Sequence, residues 1–154
     1  MEFTKKASFI KQINIFIKNK DDNKAYDLAR NFVEKFPDDM VSHFLLAKAA
    51  FNVKKFEEAK KEGVIAFNKA HVYDDMLAAA LLTSTAYLEI KEYRKGFHML
   101  KEMEKKGTSE ELQLALLTFS LALNNENEAY DHIVKLYKLN EKKANELIER
   151  MIGV

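Results

Sequence analysis

An all-α chain of stacked helical hairpins is what this sequence predicts, and three observations predict it. Four glycines and one proline in 154 residues leave little room for the turns of a β fold. Ala, Leu, Lys and Glu, all good helix formers, dominate throughout. The logic of Asp22 to Pro37 returns in Phe56 to Ala66. Ala25, Ala29, Phe32 and Val33 share one helical face in the first, and Ala59, Gly63, Ala66 and Phe67 share it in the second. Ala25 and Ala59 stand 34 residues apart, and a period of that length means helical hairpins packed on their neighbours.

The elements follow in order. Ala7, Phe9, Ile10, Ile13, Phe16 and Ile17 recur at helical spacing and predict a helix from Thr4 to Lys18. The polar run Asn19 to Asn23 breaks it and offers a side-chain cap to a second helix from Ala25 to Phe36, which Pro37 stops. Asp38 and Asp39 cap a third, Met40 to Val53. After the short turn Lys54-Lys55 comes a fourth, Phe56 to Ala70, and His71 to Asp74 form a longer connection. A fifth helix spans Met76 to Ile90 and a sixth Tyr93 to Lys105, with Gly107 as its left-handed terminator. Thr108, with Glu111 three residues on, fits a capping box for a seventh helix, Leu112 to Leu123. An eighth runs from Glu126 to Lys138. Asn140 caps a ninth, Glu141 to Ile152, ending at Gly153.

Composition narrows the function. The 25 basic residues balance 24 acidic ones, which argues against the basic field of a nucleic-acid or anionic-membrane binder. Lys5, Lys6, Lys11, Lys18, Lys20 and Lys24 lean basic, but Glu2, Asp21 and Asp22 sit among them, as on a solvated helix face. Cysteine is absent, so disulfides, thiolate metal sites and Cys nucleophiles are not expected. The longest apolar run, Met76 to Leu82, falls far short of the ~20 residues a bilayer needs. The N-terminus lacks the unbroken apolar stretch of a signal peptide, so a cytoplasmic location is expected.

On the 34-residue register the chain resembles tetratricopeptide repeats. Leu46-Ala47, Phe56, Ala59 and Ala66 carry the resemblance in the second unit, and Ser84, Tyr87, Tyr93 and Gly96 in the third. The first unit keeps Ala25 and Pro37 but has Ile13 at a small position; the fourth keeps Ala129 but has Leu117. The small positions 25, 59, 96 and 129 step by 34, 37 and 33, which places a three-residue insertion at His71 to Asp74. The resemblance implies one domain over 1–154, a right-handed superhelix. Its hairpins would lie at about 4–37, 38–71, 74–107 and 108–139, with a capping helix over 140–153. Ala144, Leu147, Ile148 and Met151 of that cap should cover the last hairpin, leaving Lys142, Lys143, Glu146 and Arg150 in water.

No constellation for catalysis is visible. His43, His71, His98 and His132 fall in four segments without a metal-ligand pair, and His98 with Glu102 reads as surface i,i+4 pairing. Ser84 lies at a packing position, and Asp38-Asp39 and Asp74-Asp75 stand where helices begin. Neither a metal, a cofactor, a small-molecule substrate nor an enzyme activity is expected.

The resemblance implies a concave groove lined by the first helix of each hairpin. Its residues would be Ile10, Asn14 and Ile17, then Phe44, Lys48 and Phe51, then Leu81, Thr85 and Leu88, with Leu114, Thr118 and Leu121 beyond. Some relatives clamp a carboxylate with Lys and Asn on the first helix. Here Asn14 matches, but Ile10 replaces the Lys and Lys48 is a lone cation, which argues against such a clamp. The expectation is a non-catalytic adaptor or assembly chaperone that binds a peptide or amphipathic helix of a protein partner. The alternative for Phe44, Phe51 and Leu81 is cover by the fold itself or by a second copy in a homodimer. Leu114 and Leu121, near the cap, are expected to be buried. Helical-repeat RNA binding is a third reading, disfavoured by the neutral charge.

Overall fold

A computed structural model of the chain describes residues 1–153. Nine α-helices and no strand occur among them: α1 (Glu2–Lys18), α2 (Asp22–Lys35), α3 (Met40–Asn52), α4 (Phe56–Lys69), α5 (Tyr73–Glu89), α6 (Tyr93–Glu104), α7 (Glu110–Ala122), α8 (Glu126–Leu139) and α9 (Glu141–Ile152). They form two compact units, Met1–Ile90 and Lys91–Val154.

In the first unit each helix packs on the next, and α3 also touches both α1 and α5. The small residues lie where the register placed them, fully enclosed: Ala25, Ala29, Ala47, Ala49, Ala50, Ala59 and Ala66 are 0–1% exposed. Ile13 is equally enclosed despite its bulk. Phe9 stacks on Phe32 with ring centres 4.9 Å apart, and Phe36 meets both edge-on. The Tyr26 hydroxyl donates to Glu58 across from α2 to α4, and burial, helped by that bond, pushes its pKa up to about 12.

In the second unit α6 packs on α7, α7 on α8 and α8 on α9. Leu117, Ala129, Ile133, Leu136 and Ala144 form a core cluster, with Leu147 and Ile148 against it. The cap is thus seated on α8 as expected, except at Met151. Burial fades along α9, from enclosed Ala144 through half-buried Leu147 and Ile148 to Met151, which is 51% exposed. The last turn runs past the surface it would have covered.

Helix ends hold most of the remaining corrections. Asp39, Asn125 and Asn140 accept from backbone N–H groups as side-chain caps. Ser109, not Thr108, caps α7 by accepting from the Leu112 N–H, because Thr108 is engaged by the Gln113 amide. Asp21 stands at the start of α2 without a side-chain cap bond. Asp74 and Asp75 lie inside the first turn of α5, favoured there by the helix dipole. Gly107 is not left-handed; its N–H reaches Met103 O at 3.2 Å while the chain is still turning right-handed at Lys105.

Apart from Gly153, which closes α9 at φ 74°, the left-handed residues are instead Lys20, Lys54, Lys91 and Asn124, with φ of 55–65°. They step by the same 34, 37 and 33 residues as the small positions, so every turn from an odd-numbered helix to the next has one. The residue after each of three of them returns a bond from its N–H to the carbonyl five back: Asp21 to Phe16, Lys55 to Ala50 and Asn125 to Ser120, at 2.8–2.9 Å. This is a Schellman closure made without glycine.

The insertion is not in a loop. Only residues 70–72 connect α4 to α5, whereas α5 is 17 residues long against 13 for α3 and α7. The extra chain became about one more helical turn, which leaves every face where it was.

Two substitutions probe these contacts. A Cβ on Gly63 would sit 2.2 Å from Thr83 Oγ1 and 3.1 Å from its Cβ, so this glycine permits close approach between α4 and α5. Gly63→Ala should therefore destabilise the chain by about 1–3 kcal/mol in urea unfolding despite its better helix propensity, and Thr83→Ala should recover part of the loss. Conversely, Lys54→Gly should stabilise by about 0.5–1 kcal/mol by relieving a left-handed L-residue, with a smaller gain for Asn124→Gly, since Asn tolerates that conformation.

Candidate functional site

Nine of the expected groove residues fall within the first unit, on the odd-numbered helices α1, α3 and α5 that lie side by side. On α3 seven of the thirteen residues are buried, and Phe44, Lys48 and Phe51 form a half-buried line at helical spacing, with Met40 and Val41 also half-buried and Asn52 exposed. On α1 the line is Ile10, Asn14 and Ile17, with Asn14 exposed; on α5 it is Leu81, Thr85 and Leu88, with Thr85 exposed. Asn14 and Thr85 are thus exposed, and the other seven residues are half-buried. Ile10, Ile17, Phe44 and Phe51 also pack their inner edges on the core, and Phe51 meets Phe56 edge-on at 5.1 Å. Lys48 has no ion-pair partner among the described residues.

In the second unit Leu114 is half-buried, Thr118 exposed and Leu121 45% exposed. The expected burial of Leu121 fails for a simple reason. The ninth helix lies against α8, and the polar links to α7 from Asn140 and Lys143 end on Glu110, at the far end from Leu121.

Two buried polar pairs went unnoticed in the sequence. His43 Nδ1 lies 2.6 Å from Glu62 Oε2 while its Nε2 lies 2.6 Å from Pro37 O, and both side chains are enclosed between α3 and α4. In the second unit His132 Nδ1 lies 2.8 Å from Gln113 Oε1, both residues being 0% exposed. Each pair is 19 residues apart. Measured from the small residues Ala59 and Ala129 the positions are the same, with the histidine on the first helix in one hairpin and the second in the other. Aligning the units on their alanines could have found them.

Around His132 the charges form a closed network. Glu104 accepts from Gln113 Nε2 at 2.8 Å, Lys101 at 2.9 Å and Lys135 at 3.1 Å. Burial opposes its ionisation, but these donors outweigh it and hold its pKa at about 2. Burial pushes the His132 pKa down, against the pull of Glu104 and Glu128. Glu128, Asp131 and His132 gather one ligand atom each within 4.8 Å. Lysine ammoniums already serve the carboxylates, however, with Lys101 3.4 Å from Glu128 and Lys135 2.9 Å from Asp131. The group reads as an internal salt-bridge network. At the surface, Glu102 pairs with Lys105 at 3.0 Å, which together with His98 keeps its pKa low.

No family model matches the chain, and no curated protein matches it. Among solved structures it is similar to that of a thermophilic TPR protein in Thermus thermophilus, at 16% identity. The match covers 89% of this chain and 75% of that one with a TM-score of 0.70. The chain has the tetratricopeptide-repeat fold. At this identity the tetratricopeptide likeness speaks for the backbone, not for what is bound. No described helix is long and apolar enough to cross a membrane.

The network predicts a two-step acid profile. The folded His132 pKa lies below the unfolded 6.5, so stability should fall as pH drops through that value. The folded Glu104 pKa lies below the unfolded 4.5, so a further loss should run from 4.5 down to about 2. Urea unfolding across pH should show both limbs, with His132→Gln flattening the upper and Glu104→Gln reducing the lower.

Proposed function

We propose that the chain is a non-catalytic protein-interaction module, an adaptor or assembly chaperone. Its first unit would hold a partner's peptide or amphipathic helix on the face of Ile10, Asn14, Ile17, Phe44, Lys48, Phe51, Leu81, Thr85 and Leu88. One observation carries the reading. Seven of the thirteen residues of α3 are buried, and those it leaves half in water include two phenylalanines, flanked by aliphatic lines on α1 and α5. Large aromatic side chains with one edge in the core and the other in solvent supply contact area without a large ordering cost, which suits a binding face. The polar members Asn14, Lys48 and Thr85 run along its middle and would fix orientation.

Because Phe44 and Phe51 also support the core, charge reversal there would confound binding with folding. The test is Asn14→Arg/Lys48→Glu/Thr85→Arg, at positions exposed or half-exposed. Such surface changes should leave stability within about 0.5 kcal/mol. Capture of a partner from native extract, followed by titration of that partner, should weaken at least tenfold. Undiminished affinity in the folded triple variant would overturn the assignment.

A further inference from the structure

The first hairpin carries a second surface, on the side of α1 away from Ile10, Asn14 and Ile17. Helices α1 and α2 leave between them a pocket of about 250 Å³ lined by Lys5, Ser8, Phe9, Gln12, Leu28 and Lys35. Gln12 and Asn14 are two residues apart, which is about 200° around a helix, so the two surfaces point in opposite directions. The pocket floor is apolar and fixed. Phe9 is stacked on Phe32 and held edge-on by Phe36, with Leu28 beside it. Lys35 Nζ lies 5.9 Å from the centre of the Phe9 ring.

The rim is basic. The charged residues that line the pocket are Lys5 and Lys35, with no carboxylate among the lining residues, and Glu2, one turn before Lys5, is paired with Lys6. Lys5 and Lys35 form no ion pair among the described residues. Their neighbour Lys6 differs, being bound to Asp39 at 3.1 Å and Glu2 at 3.4 Å. Size decides the class of ligand further. The volume lies below the roughly 300–1,000 Å³ of pockets for cofactors and drug-sized molecules. It has room for a single aliphatic or aromatic side chain.

We propose that this pocket seats an acidic peptide segment bearing one large apolar anchor. The anchor rests on Phe9 and Leu28, its flanking carboxylates meet Lys5 and Lys35, and Ser8 and Gln12 are placed to bond its backbone. This assignment is independent of the face across α1 to α5 and stands or falls separately. Opposite charge around a small apolar socket sets specificity and speeds encounter.

The test uses the full chain and a fluorescein-labelled nonapeptide with a central leucine flanked by glutamates, read by anisotropy and by amide NMR shifts. Saturable binding is expected, with shifts at Ser8, Gln12 and Leu28 but not at Phe44, Lys48 or Phe51. Lys5→Glu/Lys35→Glu, at exposed positions, should weaken it at least tenfold without lowering the thermal midpoint. Replacing the peptide's leucine by glycine, or its glutamates by lysines, should do the same. Equal binding by the double variant, shifts confined to the α1, α3 and α5 face, or no binding at millimolar peptide would overturn the proposal. A concentration-dependent dimer in light scattering, lost in the double variant, would also overturn it by assigning the pocket to a second copy.

Discussion

Helices approach one another closely only where side chains leave room, and this requirement governs the chain. Ala25, Ala59, Gly96 and Ala129 open successive second helices and are all buried. An enclosed alanine contributes little apolar area of its own. What it permits is contact between the larger residues on either side, and these supply the dispersion and burial that outweigh the entropy of ordering the chain. The alanine-rich core of the first unit follows from this, as does the placing of phenylalanine at its edges and gaps.

Close packing of this kind has a second consequence, seen in the buried polar pairs. A histidine enclosed between two helices must have its nitrogens matched, since an unmatched buried polar group costs about 1–3 kcal/mol. The fold meets that demand differently at one equivalent position: with Glu62 and a backbone carbonyl in one hairpin, and with Gln113 inside a larger lysine–glutamate network in the other. The first hairpin has Phe9 and Leu28 at the same positions and meets no polar demand there. Repeats that share a backbone thus need not share an interior.

Much of the architecture was legible because helical periodicity and small-residue spacing are local signals. All nine helices and the steps of the register could be read from the sequence. Less legible were features set by tertiary choice. Glycine at 107 signals a left-handed residue, yet the chain puts lysine and asparagine in that conformation and leaves the glycine ordinary, because the hairpin geometry fixes the turns. Exposure of Leu121 and Met151 depended on where the last helix lies, which no local pattern encodes. The pocket at Phe9 required knowing that Lys5 and Lys35, thirty residues apart, flank the same ring.

The lengthened fifth helix bears on how such chains change over time. Adding one or two residues inside a helix would rotate everything after it by about 100° or 200° and turn its apolar side to water. An addition close to 3.6 residues restores the phase, so the four added positions of α5 advance the helix by about 6 Å and leave its buried row intact. A helix in this architecture can therefore grow by about one turn without turning its buried row to water. Tandem copies can thus lose their common period while the packing that made them copies survives.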